Sequence, residues 1–199
     1  MKKVFIIDGI HGVGKTTLVE TISYKLNIPM KPEMSLAIIK GIIGKDDYMA
    51  FEYSEREDLQ KAIVYAELAQ FQYFIRKYDI FIADRSPLSA FAYSSVFDIL
   101  MSRELKNRVI SLLTNDDIQY EVFLIRPTNF KYLKLNENGD WLRQLDRQIA
   151  TEYNALSSYI SVTPCFVSSY KDMNILSDAI TTIIRGYVIL GEANEKNRS

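Results

Sequence analysis

The chain has 199 residues, with 24 Lys and Arg against 25 Asp and Glu, one His and one Cys. That length suits one domain, or one domain with a lid, and is ample for burying a sizeable core. The formal net charge of -1 excludes a global cationic field for nucleic acid or anionic membrane, Cys165 alone excludes an intramolecular disulfide, and Cys165 with His11 cannot fill a structural zinc site.

Apolar content of 48% with 12% aromatics points to a packed globule. The lone cysteine fits a reducing, cytoplasmic setting. The opening Met1 to Ile7 has an apolar run too short for a signal peptide, and no stretch approaches the length of a membrane span.

In chain order, short apolar β-branched runs alternate with segments of helical period, the pattern of a parallel sheet covered by helices on both faces. Val4 to Ile7 reads as a buried strand, and Lys15 to Leu26 as a helix with Leu18, Val19, Ile22 and Leu26 on one stripe. Asn27 to Glu33, with Pro29 and Pro32, is a weak strand or extended segment. Ser35 to Ile43 is a short helix ended by Gly44. Ser54 and Glu57 form a capping box for a long helix that turns Leu59, Ile63, Ala66 and Tyr73 inward. Ile80 to Ala83 is the next strand, after which Ser86 and Pro87 cap and open a helix through the Phe91 to Met101 region. Arg103 to Leu113 is helical, and Glu121 to Ile125 is a strand stopped by Pro127. Asn136 to Asp140 is a turn, and Leu142, Leu145, Ile149, Tyr153, Leu156 and Ile160 mark one continuous helix. Cys165 to Val167 is the last strand, Met173 to Ile189 the closing helix, and 191–199 a frayed polar tail. Residues 1–190 thus form a single domain, with a lid over about 127–147.

Gly9-Ile10-His11-Gly12-Val13-Gly14-Lys15-Thr16 satisfies the G-x-x-x-x-G-K-[ST] pattern of a phosphate-binding loop, and it stands between a strand and a helix as the chemistry requires. Its glycines let backbone N–H groups face the β and γ phosphates at a helix N-terminus. Lys15 reaches the phosphate oxygens, Thr16 binds Mg²⁺ through its hydroxyl, and Thr17 completes the set. His11 occupies a variable position of the loop and reads as a packing or solvent-facing residue rather than a catalytic one.

Asp84-Arg85-Ser86 ends an apolar strand, where open α/β sheets bind ligands. Asp84 can hold the Mg²⁺ shell or accept a proton, and Arg85 can neutralise a phosphate; the alternative is a pair that caps the next helix.

Ile7-Asp8-Gly9 leading into the loop, and Asp84-Arg85-Ser86 followed by Ser89 and Ala92-Tyr93, resemble the motifs of the thymidylate kinase and deoxynucleoside kinase superfamily. The resemblance implies a P-loop fold with a five-stranded parallel sheet and a helical, arginine-bearing lid. It also implies transfer of the ATP γ-phosphoryl group, with Mg²⁺, to a nucleoside or nucleoside monophosphate. Glu33, in Lys31-Pro32-Glu33, is similar in position to the acidic residue that activates the sugar hydroxyl. Either Glu33 or Asp84 is the base, and a plain surface Glu33 is the alternative.

Arg126, Arg143 and Arg147 are expected to supply phosphate-binding cations, with Arg126 toward the substrate and Arg143 also toward ATP. Arg143 and Arg147, four apart, share a helix face and repel unless an anion such as an ATP phosphate lies between them; the alternative is that Asp140 and Asp146 neutralise them on a solvated face. The stretch Asn138 to Arg147 is similar to the lid of nicotinamide riboside kinase-like proteins, which leaves the acceptor open.

For an acceptor base, Phe51, Tyr53, Phe71, Tyr73 and Phe74 offer stacking faces and Gln60, Gln70 and Gln72 offer paired hydrogen-bonding groups. Gln60 falls where the superfamily reads the base, although Phe71-Gln72 carries the Phe-Gln pair. A small-molecule acceptor, no membrane and a possible homodimer complete the expectation. A P-loop switch, or a kinase acting on a polynucleotide end, are the competing readings.

Overall fold

In the computed structural model the described residues are 1–43, 53–133 and 139–196. The elements run β1 (Lys2–Gly9), α1 (Lys15–Leu26), β2 (Met30–Lys31), α2 (Ser35–Ile43), α3 (Tyr53–Lys77), β3 (Ile80–Asp84), α4 (Pro87–Val96), α5 (Arg103–Leu113), β4 (Ile118–Pro127), α6 (Gly139–Asn154), β5 (Ser161–Val167) and α7 (Tyr170–Lys196). The five strands form one parallel sheet in the order β2-β3-β1-β4-β5. β1 lies in the middle, and Val4 to Ile7 are wholly buried, as a strand covered on both faces must be.

The order reverses direction at β1, between β3 and β4, so the loops leaving β1 and β3 open a crevice at the carboxyl edge. Ile7 pairs with Asp84 across that edge, which brings the end of the phosphate loop's strand beside the Asp84-Arg85 turn. Among the described residues no helix is long and apolar enough to cross a membrane.

Several boundaries differ from the sequence expectation. The Gly139 region opens α6 rather than lying in a turn, and α6 stops at Asn154. Leu156 and Ile160 are buried from a run of turns, because apolar side chains can keep filling the core after the helical hydrogen bonds end. α7 continues to Lys196 where a frayed tail was expected. On α3, Tyr73 points outward, and Leu68 and Phe71 fill the core instead. Gly44, Phe51 and Asn136 to Asn138 lie outside the described residues, as do the side chains of Tyr53 and Ser54.

Candidate active site

Gly9 leaves β1 with φ +139, and a Cβ there would sit 2.3 Å from the Ile125 carbonyl oxygen, so glycine is the residue the strand junction accepts. Gly14, at φ +95, is the N-cap of α1 and offers no side chain to its first N–H groups. An uncapped helix N-terminus beside a lysine leaves donors for an anion.

Lys15 is buried, with its Nζ donating to the Ile10 carbonyl at 2.7 Å. Burial, helped by the Arg85 charge and opposed by Glu33, Asp84 and Asp8, lowers its pKa to about 8. One hydroxyl further on, Thr16 Oγ1 donates to Asp84 Oδ2 at 2.6 Å. Asp84 Oδ1 is buried and has no hydrogen-bond partner, and burial holds the carboxyl above its usual pKa against the pull of Lys15 and Thr16. A hydroxyl and a carboxylate in contact, one oxygen of the carboxylate unsatisfied, make a fitting partial ligand set for Mg²⁺. That cation commonly takes one or two protein oxygens together with phosphate and water. Among the described residues no cluster of three or more His, Cys, Asp or Glu is placed to hold a metal by itself.

Arg85 has φ 66, a left-handed backbone that costs an arginine on the order of 1 kcal/mol. The turn sends its guanidinium into a buried position with Nε 2.9 Å from Glu33 Oε1, Nη1 4.0 Å from Asp8 Oδ1, and Nη2 donating to Tyr93 Oη at 3.1 Å. Burial disfavours the Glu33 carboxylate, but Arg85 and Lys15 outweigh it and bring its pKa down to about 2. Glu33 also accepts a hydrogen bond from the Ser35 hydroxyl.

A family model described as an AAA domain matches residues 4–159. The chain belongs to this AAA domain family. Its fold is shared with solved structures of nucleoside and nucleotide kinases. Thymidylate kinase from Ehrlichia chaffeensis superposes with a TM-score of 0.63 at 15% identity, covering 92% of this chain and 100% of the other. Deoxyadenosine kinase from M. mycoides, with dCMP and dCDP bound, gives 0.55 at 15% identity over 92% of this chain and 99% of the other. NadR in complex with NAD and AMP-PNP gives 0.59 at 16% identity, over 90% of this chain and 48% of that longer one. No curated protein matches the sequence.

In the AAA domain one cavity of about 480 Å³ joins these groups. Its walls include His11, Gly12, Gly14, Lys15, Thr16 and Thr17 from the phosphate loop and α1, Glu33 after β2, and Arg85 after β3. Gln60 and Glu67 enter from α3, and Tyr93, Phe97 and Trp141 from α4 and α6. Gly9 and Val13 are buried within the loop's foundation and do not line it.

Three expected cations stand elsewhere. Arg126 makes a two-pronged bond to Asp146, with Nη2 to Oδ2 at 2.6 Å, because α6 sets a carboxylate directly beside the end of β4. Arg143 is exposed, bonded to Asp140 at 3.1 Å and placed over the Phe130 ring, and Arg147 is exposed on the same helix. The expected base-stacking residues also separate: Phe71 and Phe74 pack with Phe81, Tyr73 faces outward, and Gln70 and Gln72 do not line the cavity. Gln60 does line it, with Nε2 donating to the Ala90 carbonyl at 2.8 Å.

Three features were absent from the sequence reading. Asp8 is wholly buried, and its Oδ2 accepts from Tyr153 at 2.5 Å and from Ser89, while Oδ1 accepts from the Gly9 N–H at 2.7 Å. Tyr153 also bonds Ser86 Oγ at 2.7 Å, so α6 is tied to both strand exits. Glu67 forms a buried ion pair with Lys31 at 2.6 Å, and its other oxygen accepts from the Met34 N–H. Gln60, Ile63 and Glu67 follow the i, i+3, i+7 period, so the helical stripe through Gln60 was the signal that could have found Glu67. Trp141 joins His11, Phe97 and Tyr93 with ring centroids 5.3, 5.4 and 6.4 Å apart.

Proposed function

We propose that the protein is a cytoplasmic ATP- and Mg²⁺-dependent kinase that transfers the γ-phosphoryl group to a nucleoside or nucleoside monophosphate. The observation that carries this reading is the meeting, in one cavity wall, of the phosphate loop's Lys15 and Thr16 with the Glu33–Arg85 pair, and Asp84 stands directly behind Thr16 at 2.6 Å. A motor or switch would need the phosphate loop and a metal ligand, but not a buried carboxylate-guanidinium pair on the acceptor side of the same cavity. The names of the structural neighbours, kinases of small nucleosides and nucleotides, support the same reading.

Catalysis in this reading is positioning and charge neutralisation. Gly12, Gly14 and the first turn of α1 would hold the phosphates through backbone N–H groups. Lys15 would leave the Ile10 carbonyl for the β and γ oxygens. Thr16 and Asp84 would hold Mg²⁺, which when bound neutralises phosphate charge. Glu33 is positioned as acceptor of the attacking hydroxyl's proton, and Arg85 would turn part of its guanidinium toward the moving phosphoryl group. The contact between Asp84 and Thr16 supports assigning Asp84 to the metal and leaving Glu33 as the proposed base.

The test is incubation with labelled ATP, Mg²⁺ and a panel of nucleosides and 5′-monophosphates. Labelled acceptor is expected, and the Lys15→Ala variant should lose it by about 10²- to 10³-fold. Release of labelled inorganic phosphate with no labelled acceptor would exclude a kinase. An elution volume matching one chain would exclude the homodimer that the superfamily resemblance suggests.

A further inference from the structure

We propose that the acceptor carries no phosphate of its own: it is a nucleoside, a flat ring on a hydroxyl-bearing sugar, and Glu33 and Glu67 exclude its monophosphate. This deepens the kinase reading and rests on it.

Among the described residues, the cations lining the cavity are Lys15 and Arg85. Lys15 belongs to the phosphate loop and serves the donor. Arg85 is already held by a carboxylate at 2.9 Å and a phenol at 3.1 Å. Opposite them the acceptor side presents two carboxylates, Glu33 from the exit of β2 and Glu67 from α3. Glu67 has a counter-ion, but Lys31 is wholly buried behind the wall, where its ammonium also donates to the Pro32 carbonyl at 2.9 Å and lies 3.4 Å from that of Asp84. The two charges offset each other as a pair and leave no excess positive charge for a phosphate, with the carboxylate bordering the cavity and the ammonium behind it.

A nucleoside monophosphate brings a charge of about -1.5 to -2 near neutral pH. It would have to set that charge beside the ATP phosphates, against two carboxylates whose counter-ions, Arg85 and Lys31, are already committed to them. Juxtaposed like charges cost several kcal/mol, and among the described residues the lining offers no cation beyond Lys15, which serves the donor, and Arg85, which is paired with Glu33. A neutral sugar hydroxyl instead meets acceptors it can donate to. The remaining lining suits a flat ring: Trp141, Tyr93 and Phe97 supply aromatic faces, and Gln60 and Glu67 supply polar groups on one helical stripe.

The experiment uses the full chain with labelled ATP and Mg²⁺ and compares each of the common ribo- and deoxyribonucleosides, and nicotinamide riboside, with its own 5′-monophosphate. For the best acceptor, kcat/KM is expected to exceed that of its monophosphate at least about tenfold. A monophosphate that is phosphorylated as well as its nucleoside, or better, overturns this inference and leaves the kinase reading intact. ATP hydrolysis without any labelled acceptor overturns both.

Trp141 is the chain's only tryptophan and lines the cavity, so its fluorescence gives a second readout without ATP. A saturable change is expected with the preferred nucleoside. Equal or tighter titration by the monophosphate overturns the charge argument even if turnover is slow. Glu67→Gln, which removes one carboxylate and leaves Lys31, should narrow the nucleoside-to-monophosphate ratio at least about threefold. A folded Glu67→Gln enzyme with an unchanged ratio removes Glu67 from the exclusion. The wild-type comparison decides the rest whether or not that variant folds.

Discussion

Replacing Tyr153 with Phe deletes one oxygen from the interior and tests whether α6 is anchored through Asp8. The phenol donates to Asp8 Oδ2 at 2.5 Å and bonds Ser86 Oγ at 2.7 Å, and both residues are buried. Burial first, and then the neighbouring Asp8 charge, push the Tyr153 pKa well up, so the phenol stays protonated and remains a donor. A hydrogen bond to a charged group contributes about 1.5 to 3 kcal/mol. Asp8 keeps the Gly9 N–H and the Ser89 hydroxyl in the variant, so its charge is not abandoned. The expected loss in Tyr153→Phe is therefore about 2 kcal/mol, and about 4 to 8 °C in Tm for a chain of this size. Urea unfolding of Tyr153→Phe, Asp8→Asn and the double variant isolates the pair. Contact residues of this kind couple by about 0.5 to 3 kcal/mol, so the double variant should lose less than the two single losses combined. Strict additivity, or a Tyr153→Phe variant as stable as wild type, would refute the anchor.

Thr16→Ala removes a hydroxyl that both contacts Asp84 and is assigned to Mg²⁺, so the Mg²⁺ concentration for half-maximal transfer should rise about tenfold or more; a metal titration of activity checks this. Gly9→Ala should fail to fold or lose more than about 4 kcal/mol in urea unfolding, since its Cβ would meet the Ile125 backbone oxygen at 2.3 Å in a positive-φ conformation. With Lys15 brought to about 8 by burial, the free site loses its ammonium as pH rises through 8, and ATP affinity should fall by up to about tenfold per unit above that, as read by calorimetry. Glu33 runs the other way. Its folded pKa, about 2, lies below the usual 4.5, so its contribution to stability is present above pH 4.5 and is lost as pH falls toward 2. The stability gap between wild type and Glu33→Gln should shrink over that interval.

What the sequence made legible was local. The phosphate loop is contiguous, its glycines are demanded by backbone geometry, and the strand before it is apolar throughout, so pattern alone locates them. The Asp84-Arg85 turn was legible for the same reason, although the left-handed backbone at Arg85 was not. The Asp8–Tyr153 contact spans 145 positions, and nothing in either residue's neighbourhood names the other. The lid arginines failed differently. Spacing put Arg143 and Arg147 on one helix face, but which way that face turns depends on Leu142, Leu145 and Ile149, which pack inward and leave both arginines exposed. Arg126 was lost to a partner 20 positions away that only the docking of α6 brings into reach.

Those displaced arginines change what near-neutral composition means at the site. Five cations converging on one pocket would make a standing positive well, and the overall balance would have to be made up elsewhere. Among the described residues the cavity instead carries Lys15 and Arg85, each occupied: Lys15 by the Ile10 carbonyl and Arg85 by Glu33. A lysine brought to about 8 by burial is poorly compensated by one carbonyl, so an arriving phosphate gains by replacing it. Arg85 has no such incentive, because its carboxylate partner is better than a carbonyl and Asp8 lies behind it at 4.0 Å. In the proposed kinase the two cations would thus be graded, Lys15 ready for the donor and Arg85 released only when a hydroxyl competes for Glu33. Proton acceptance by Glu33 would weaken its hold on Arg85 as the phosphoryl group arrives, which would link the proposed base and the proposed phosphate-neutralising cation in a single exchange.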